Sequence, residues 1–190
     1  MHLKSVELPK LHTRVRFPSP APISGTVLQD GALTVPEIDL ANPSLVRQEV
    51  AWRGHQRPGS IVVVVPERRL YLVQGNGRAL RYAVGVGRAE ALNFRGSAVI
   101  GRKESWPRWT PTAHMMAAMP SYRLAVWTAA PNNPLGARAL YLYRDGGDTY
   151  LRLHGTNEPE SIGHAVSSGC IRCSIRISLI STTASRWARM

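Results

Sequence analysis

Six histidines and two cysteines are the nucleophilic and proton-transferring stock of this chain. His2, His12 and His55 fall in stretches read as irregular, and His114 in a loop-like segment. What remains is one cluster: His154-Gly155-Thr156, then His164, then Ser167-Ser168-Gly169-Cys170-Ile171-Arg172-Cys173. A nucleophilic cysteine needs a base within hydrogen-bond reach, a group that orients the base, and donors for the developing oxyanion. His154 closes the run Tyr150-Leu151-Arg152-Leu153, read as a strand, so its ring would sit on a rigid element. Cys170 follows Ser168-Gly169, a small pair that lets backbone amides turn toward a carbonyl. An imidazole beside the thiol is expected to lower its pKa from about 8.5 and supply thiolate at neutral pH. Taken alone, one Cys–His pair is more often an inert buried cysteine. Cys170-x-x-Cys173 with His154 and His164 also fits a zinc site or a redox pair, although the histidines are irregularly placed.

The elements that must position this cluster begin at Ser60. Ile61 to Val65 is a β-branched run, too short for a helix and suited to a buried strand. Pro66 to Arg68 turn the chain into Leu70-Tyr71-Leu72-Val73, and Asn76-Gly77 predicts a tight hairpin into Ala79 to Gly87. Further strands are expected at Ser97 to Lys103, Ala139 to Tyr143 and Tyr150 to Leu153. Between Trp106 and Asn133 the prolines and tryptophans predict loop, with one helical turn at His114 to Met119. The fold class is therefore mainly β.

The chain has 190 residues, of which 44% are apolar and 19% charged, which excludes wholesale disorder. The longest purely aliphatic run, Ile61 to Val65, is far short of the roughly 20 residues of a membrane span. Lys and Arg outnumber Asp and Glu by 24 to 12, a formal charge of +12. Such a surface attracts polyanions, including nucleic acid and anionic cell walls. No basic run exceeds two residues and no aromatic-interleaved patch occurs, so a nucleic-acid partner is not expected. Residues 1–25 carry four prolines without the apolar segment of a secretory signal, and read as an unstructured extension. Arg14 to Pro18 can be back-translated as the consensus of a transfer-RNA T-arm, and the expectation drawn from it is a start codon called upstream of the true one. Residues 26–58 read as a linker or lead-in, 59–172 as the domain, and 173–190 as an atypical tail.

The strings His154-Gly155-Thr156-Asn157-Glu158-Pro159, Ser161-Ile162-Gly163 and Ser167 to Arg172 closely resemble the active-site signature of the L,D-transpeptidases, the YkuD-type catalytic domain. The resemblance extends upstream to Pro58 to Val63, Leu70 to Val73, Trp106 to Pro111 and Asn133 to Arg138. It implies a β-sandwich-like fold of mixed sheets with a short helix. It also implies a cysteine acyltransferase of bacterial peptidoglycan that needs no cofactor or metal. Carried over, Cys170 is the nucleophile and His154 the proton acceptor and donor, with the Gly155 carbonyl orienting the ring. The amides of Gly169 and Cys170 form the oxyanion hole. Ser168, Thr156 and Arg172 are the expected substrate-side residues, Arg172 serving equally well as half of a structural ion pair.

The partners implied are peptidoglycan stem peptides, donor and acceptor, and the location is the periplasm or cell envelope. With an amine acceptor the product is a 3→3 cross-link; water makes a carboxypeptidase, and a lipoprotein lysine an anchoring reaction. An inactive basic wall-binding β module is the non-enzymatic alternative. Two departures stand out. Ser168 occupies a position where many members carry histidine, a change expected to tune the site. After Arg172 the family continues with Met, a helix and a closing strand. Here Cys173 to Arg189, back-translated one base earlier, admits Met-Leu-Asn-Gln-Asp-Ile and an ending like the family's. That reading is a one-base deletion near codon 172, with Cys173 an accident of frame. Taken at face value, Ile175, Ile177 and Leu179 alternate as in a short strand.

Overall fold

The computed structural model describes residues 27–30, 33–36, 45–111, 113–118, 133–174 and 186–189. A short antiparallel hairpin joins β1 (Val27–Asp30) to β2 (Leu33–Pro36). The remaining strands form one ten-stranded mixed sheet among the described residues. They are β3 (Gln48–Ala51), β4 (Ser60–Val64), β5 (Arg69–Gly75), β6 (Arg78–Gly87) and β7 (Ser97–Ser105). Then come β8 (Arg138–Arg144), β9 (Gly147–His154), β10 (Ala165–Ser167), β11 (Ile171–Cys173) and β12 (Arg186–Arg189). A short helix, α1, covers Ala113–Ala118, where one helical turn was expected. The mainly β expectation holds, and the sandwich-like packing comes from a single sheet curled on itself.

β6 makes the curl. Its first part pairs with β5 and β3, while Val84 and Gly85 pair with Cys173 and Arg172 of β11, and Val86 and Gly87 with β10. From β11 the path runs through β9, β8, β7, β12 and β4 back to β5, which pairs with β6 again. One strand thus carries both ends of the ring. Asn76 and Gly77, at φ 49° and 69°, form the two-residue turn that the Asn-Gly pair predicts between β5 and β6.

Side chains that alternate along these strands fill the inside of the curl. Ile61, Val63, Leu70, Leu72, Tyr82, Val84, Leu140, Leu142, Leu153, Ile171 and Cys173 belong to one buried cluster. A fully buried aliphatic side chain contributes roughly 1.5–3 kcal/mol by leaving water, so a cluster of this size holds the ring closed.

The stretch read as an irregular lead-in contains β1, β2 and β3. Its β3 lies along the edge of β6, from Gln48 opposite Arg81 to Ala51 opposite Arg78, with Glu49 bonded to Arg78 at 2.6 Å. The strand is short, polar and half-exposed, and its stability comes from pairing with a neighbour rather than from an apolar run of its own. The alternating Ile175, Ile177 and Leu179 lie outside the described residues. Past them, β12 pairs in parallel with β4 and antiparallel with β7.

Leu142 is 1% exposed at the centre of the core. Leu142→Ala should lower unfolding free energy by about 2–5 kcal/mol, the range for a buried leucine cavity. Urea denaturation should show a lower midpoint with an unchanged slope; an unmoved midpoint would mean the curl is held elsewhere.

Candidate active site

β9 and β11 run parallel, with Leu153 opposite Ile171 and His154 opposite Arg172. Leu153, Ile171 and Cys173 enter the core cluster. The pleat therefore sends Arg152, His154 and Arg172 to the opposite face. Cys170 stands one step before β11. The two residues that the sequence singled out thus stand at the same parallel contact, His154 as the last residue of β9 and Cys170 directly before β11.

The loop before the cysteine is braced on the end of β6. The Arg88 N–H donates to the Ser167 carbonyl at 3.0 Å, and Val86 N–H to the His164 carbonyl at 3.0 Å. Asn93, buried, clamps both backbone groups of Gly87 at 2.9 and 3.2 Å. The Ser167 hydroxyl donates to the Cys170 carbonyl at 2.6 Å and accepts from the Gly169 N–H at 3.1 Å. Gly169 sits at φ +127°, and a Cβ there would meet the Leu92 carbonyl oxygen at 2.7 Å. Only glycine fits, because both the backbone angle and the neighbouring wall exclude a side chain.

That geometry alters one expectation. The Gly169 amide, assigned above to an oxyanion hole, is occupied by Ser167 in this structure. Ser167 belongs to the cluster picked out from the sequence but carries no role there, although a hydroxyl two residues before a glycine is a familiar local turn-former.

His154 is buried, and its Nδ1 lies 2.5 Å from the Gly155 carbonyl oxygen. A carbonyl only accepts, so Nδ1 carries the proton and Nε2 presents a lone pair. The Gly155 N–H in turn donates to the Arg138 carbonyl at 3.0 Å, which fixes the turn that holds the ring. Burial pushes the imidazole pKa down to about 4; the Gly155 carbonyl opposes this, while the charges of Arg172 and Arg152 reinforce it. The ring is neutral at pH 7 and ready to accept a proton.

Cys170 behaves otherwise than expected. It keeps a partly exposed surface, yet its enclosure pushes the thiol up, against the Arg152 N–H and the charges of Arg152 and Arg172. Burial outweighs the cationic neighbours, so the resting pair is thiol and neutral imidazole rather than thiolate and imidazolium.

The remaining candidates divide. Ser168 is exposed beside Cys170. The Thr156 hydroxyl accepts from the Glu158 N–H at 2.9 Å and is buried in the turn, where it builds the loop. Arg172 makes an ion pair with Glu158, the structural role weighed for it above. Cys173 lies in the core with its thiol pushed up to about 12 by burial. It faces away from Cys170, and among the described residues no three His, Cys, Asp or Glu side chains are grouped to hold a metal. His164 is exposed.

A family model described as the L,D-transpeptidase catalytic domain, YkuD, matches residues 58–177. The chain belongs to this family. Among curated relatives, the Escherichia coli K12 protein named as a probable L,D-transpeptidase, YcfS, is 36% identical over 61% of this chain and 37% of its own length. A Fuscovulum blasticum protein named as an L,D-transpeptidase is 34% identical over 74% of this chain and 77% of its own. The chain thus spans little more than a third of YcfS. A crystal structure from Brucella melitensis, named as a probable carnitine operon oxidoreductase, is 39% identical at TM-score 0.55, covering 74% of this chain and 88% of that one. The Ldtfm–avibactam carbamoyl enzyme shares the fold at TM-score 0.50 and 13% identity, covering 71% of this chain and 49% of that one. Among the described residues no helix of this L,D-transpeptidase domain is long and apolar enough to cross a membrane.

The depressed His154 pKa links folding to pH. The unfolded imidazole titrates near 6.5 and the folded one near 4, so only the unfolded chain gains the proton as pH falls between them. Stability from this residue is complete above about pH 6.5 and falls by on the order of 3 kcal/mol as pH drops toward 4. Urea titrations of wild type and His154→Gln at pH 7 and 4.5 should show the smaller acid loss in the variant. Parallel losses would contradict the burial of a neutral ring.

Proposed function

We propose that this domain is a cysteine acyltransferase acting on peptidoglycan stem peptides, with Cys170 as nucleophile and His154 as general base and acid. The observation that supports it is a neutral, carbonyl-oriented imidazole ending β9 and a partly exposed thiol one residue before β11, the parallel neighbour of β9. As Cys170 Sγ attacks the carbonyl of a diaminopimelate residue, its proton passes to His154 Nε2. The tetrahedral intermediate collapses to a thioester, and His154 returns the proton to the departing D-alanine amine. An amine of a second stem, deprotonated by His154, then attacks the thioester. A 3→3 amide forms and the thiol is regenerated. Water as acceptor gives an L,D-carboxypeptidase, and a lipoprotein lysine amine gives anchoring, by the same two half-reactions.

For the oxyanion the Cys170 amide is the remaining candidate donor at the loop, joined by the Gly169 amide if substrate draws it away from Ser167. Ser168, exposed next to the thiol, is the side chain placed to touch the donor peptide. The formal charge of +12 favours a polyanionic wall as surroundings, and a cell-envelope location is part of the proposal.

Intact mass after incubation with a carbapenem tests the acylation half-reaction. Wild type should gain one adduct and Cys170→Ala none, with His154→Ala slowed by roughly 10²–10⁴. Because His154 stays neutral to about pH 4, the wild-type rate should show no inflection near pH 6.5. A folded wild type that gains no adduct would defeat the proposal.

A further inference from the structure

The segment between β3 and β4 does more than lead into the sheet. The Trp52 N–H donates to the Gly77 carbonyl at 2.6 Å. Its ring lies against Tyr71 of β5, with centroids 5.3 Å apart and planes tilted by 39°. Leu70 and Leu72 belong to the core, so Tyr71 stands on the outer face of the sheet. There the segment and the sheet enclose a cavity of about 500 Å³, in the size range of small-ligand sites. Trp52, Gly54, Val64, Glu67 and Tyr71 line it, together with the exposed Arg53 and His55. The Tyr71 hydroxyl donates to Glu67 Oε2 at 2.7 Å. Two polar atoms next to this lining, Trp52 Nε1 and Gln56 Oε1, are buried and have no hydrogen-bond partner among the described residues. One is a donor and the other an acceptor, and both side chains border the bare α-carbon of Gly54. A Cβ there would collide with Gln56 Oε1 and meet Trp52 Cε2, which is bonded to Nε1, at 2.8 Å. Folded proteins pair nearly all their buried polar groups, so such a couple calls for a partner.

We propose that this cavity is a saccharide-binding site, separate from the Cys170 loop, that holds an uncharged sugar ring against Trp52 and Tyr71. The negative face of an aromatic ring suits the C–H face of a pyranose, and two tilted rings offer it two walls. A sugar hydroxyl both donates and accepts, so one such group, with a small rotation of the Gln56 amide, serves Trp52 Nε1 and Gln56 Oε1 together. Glu67 keeps an acceptor for a second hydroxyl. An amine is a poorer occupant, because Arg53 lines the cavity and Arg81 stands opposite Tyr71, two cations against the one carboxylate. An anion meets that carboxylate. The position suits the function proposed above, whose stem peptides hang from a glycan. Tyr71 lies opposite Arg81 of β6 and Arg172 opposite Gly85, both on the face of β6 turned away from Tyr82 and Val84 of the core. Roughly 13 Å of strand separates the two rows. A sugar in the cavity thus leaves its peptide free to run along the outer face of β6 toward β11.

The inference rests on the proposed function only for the source of the sugar, so binding is read on Cys170→Ala protein, where no thioester can form. Chitotetraose, a soluble oligomer of N-acetylglucosamine, is titrated into isotope-labelled protein while the indole N–H signals are followed by NMR. Each of the five tryptophans gives one signal, and the one missing from Trp52→Phe belongs to Trp52. That signal should move saturably with added saccharide. Tyr71→Ala should weaken binding roughly tenfold or more. In a parallel titration n-butylamine should bind more weakly than the saccharide. A Trp52 signal that does not move, an undiminished affinity in folded Tyr71→Ala, or tighter binding of n-butylamine overturns the proposal. Should Tyr71→Ala fail to fold, the milder Trp52→Phe, measured by calorimetry, should lose several-fold in affinity with the indole N–H. Undiminished affinity there would equally overturn it. If chitotetraose binds in this way while carbapenem acylation of the wild type fails, the cavity stands and the reaction assigned above does not.

Discussion

Everything in this molecule turns on the parallel contact between two short pieces of backbone, Leu153-His154 and Ile171-Arg172. Parallel strands cannot be joined by a tight hairpin and need a crossover. Here the crossover is the segment 155–170, which holds most of the residues with chemical interest. It is packed with internal bonds: Thr156 to Glu158, Ser161 to Glu158, Ser167 to Cys170. The loop also touches β6 at three places, so the thiol is referenced to the same strand that closes the sheet.

Burial governs the electrostatics of the pair. Two arginines stand near enough to favour a thiolate, yet each is matched by a carboxylate, Arg152 by Asp148 and Arg172 by Glu158. Their net effect is smaller than their count suggests, and the enclosing protein decides the resting protonation. A neutral pair costs less to hold out of water than separated charges, and the charge then develops only during reaction.

The strands from Ser60 to His154 were legible because each advertises itself locally, by β-branched runs, by the Asn76-Gly77 turn, or by alternation that ends in a histidine. The Cys170 loop was legible because its small residues stand in a recognisable order. β3 was not, since Gln48-Glu49-Val50-Ala51 has one large apolar residue and depends on the edge of β6. The Thr156 hydroxyl is engaged in its own turn, and a sequence does not say which hydroxyls a turn consumes. The direction of the thiol shift required knowing how deeply the loop is enclosed, and no spacing encodes that.

The two neighbours that precede Cys170 differ sharply in what they permit. Ser168 opens to solvent, whereas the place where a Gly169 side chain would go is filled by the Leu92 carbonyl. Of the two residues before Cys170, only position 168 is therefore free to vary. Lineages that diverge in substrate preference can explore position 168 freely, while any change at 169 must be accompanied by a shift of the Leu92 loop. An inhibitor whose grip depends on the backbone at 169 meets a surface that single substitutions cannot easily rewrite, and one that leans on the side chain at 168 does not.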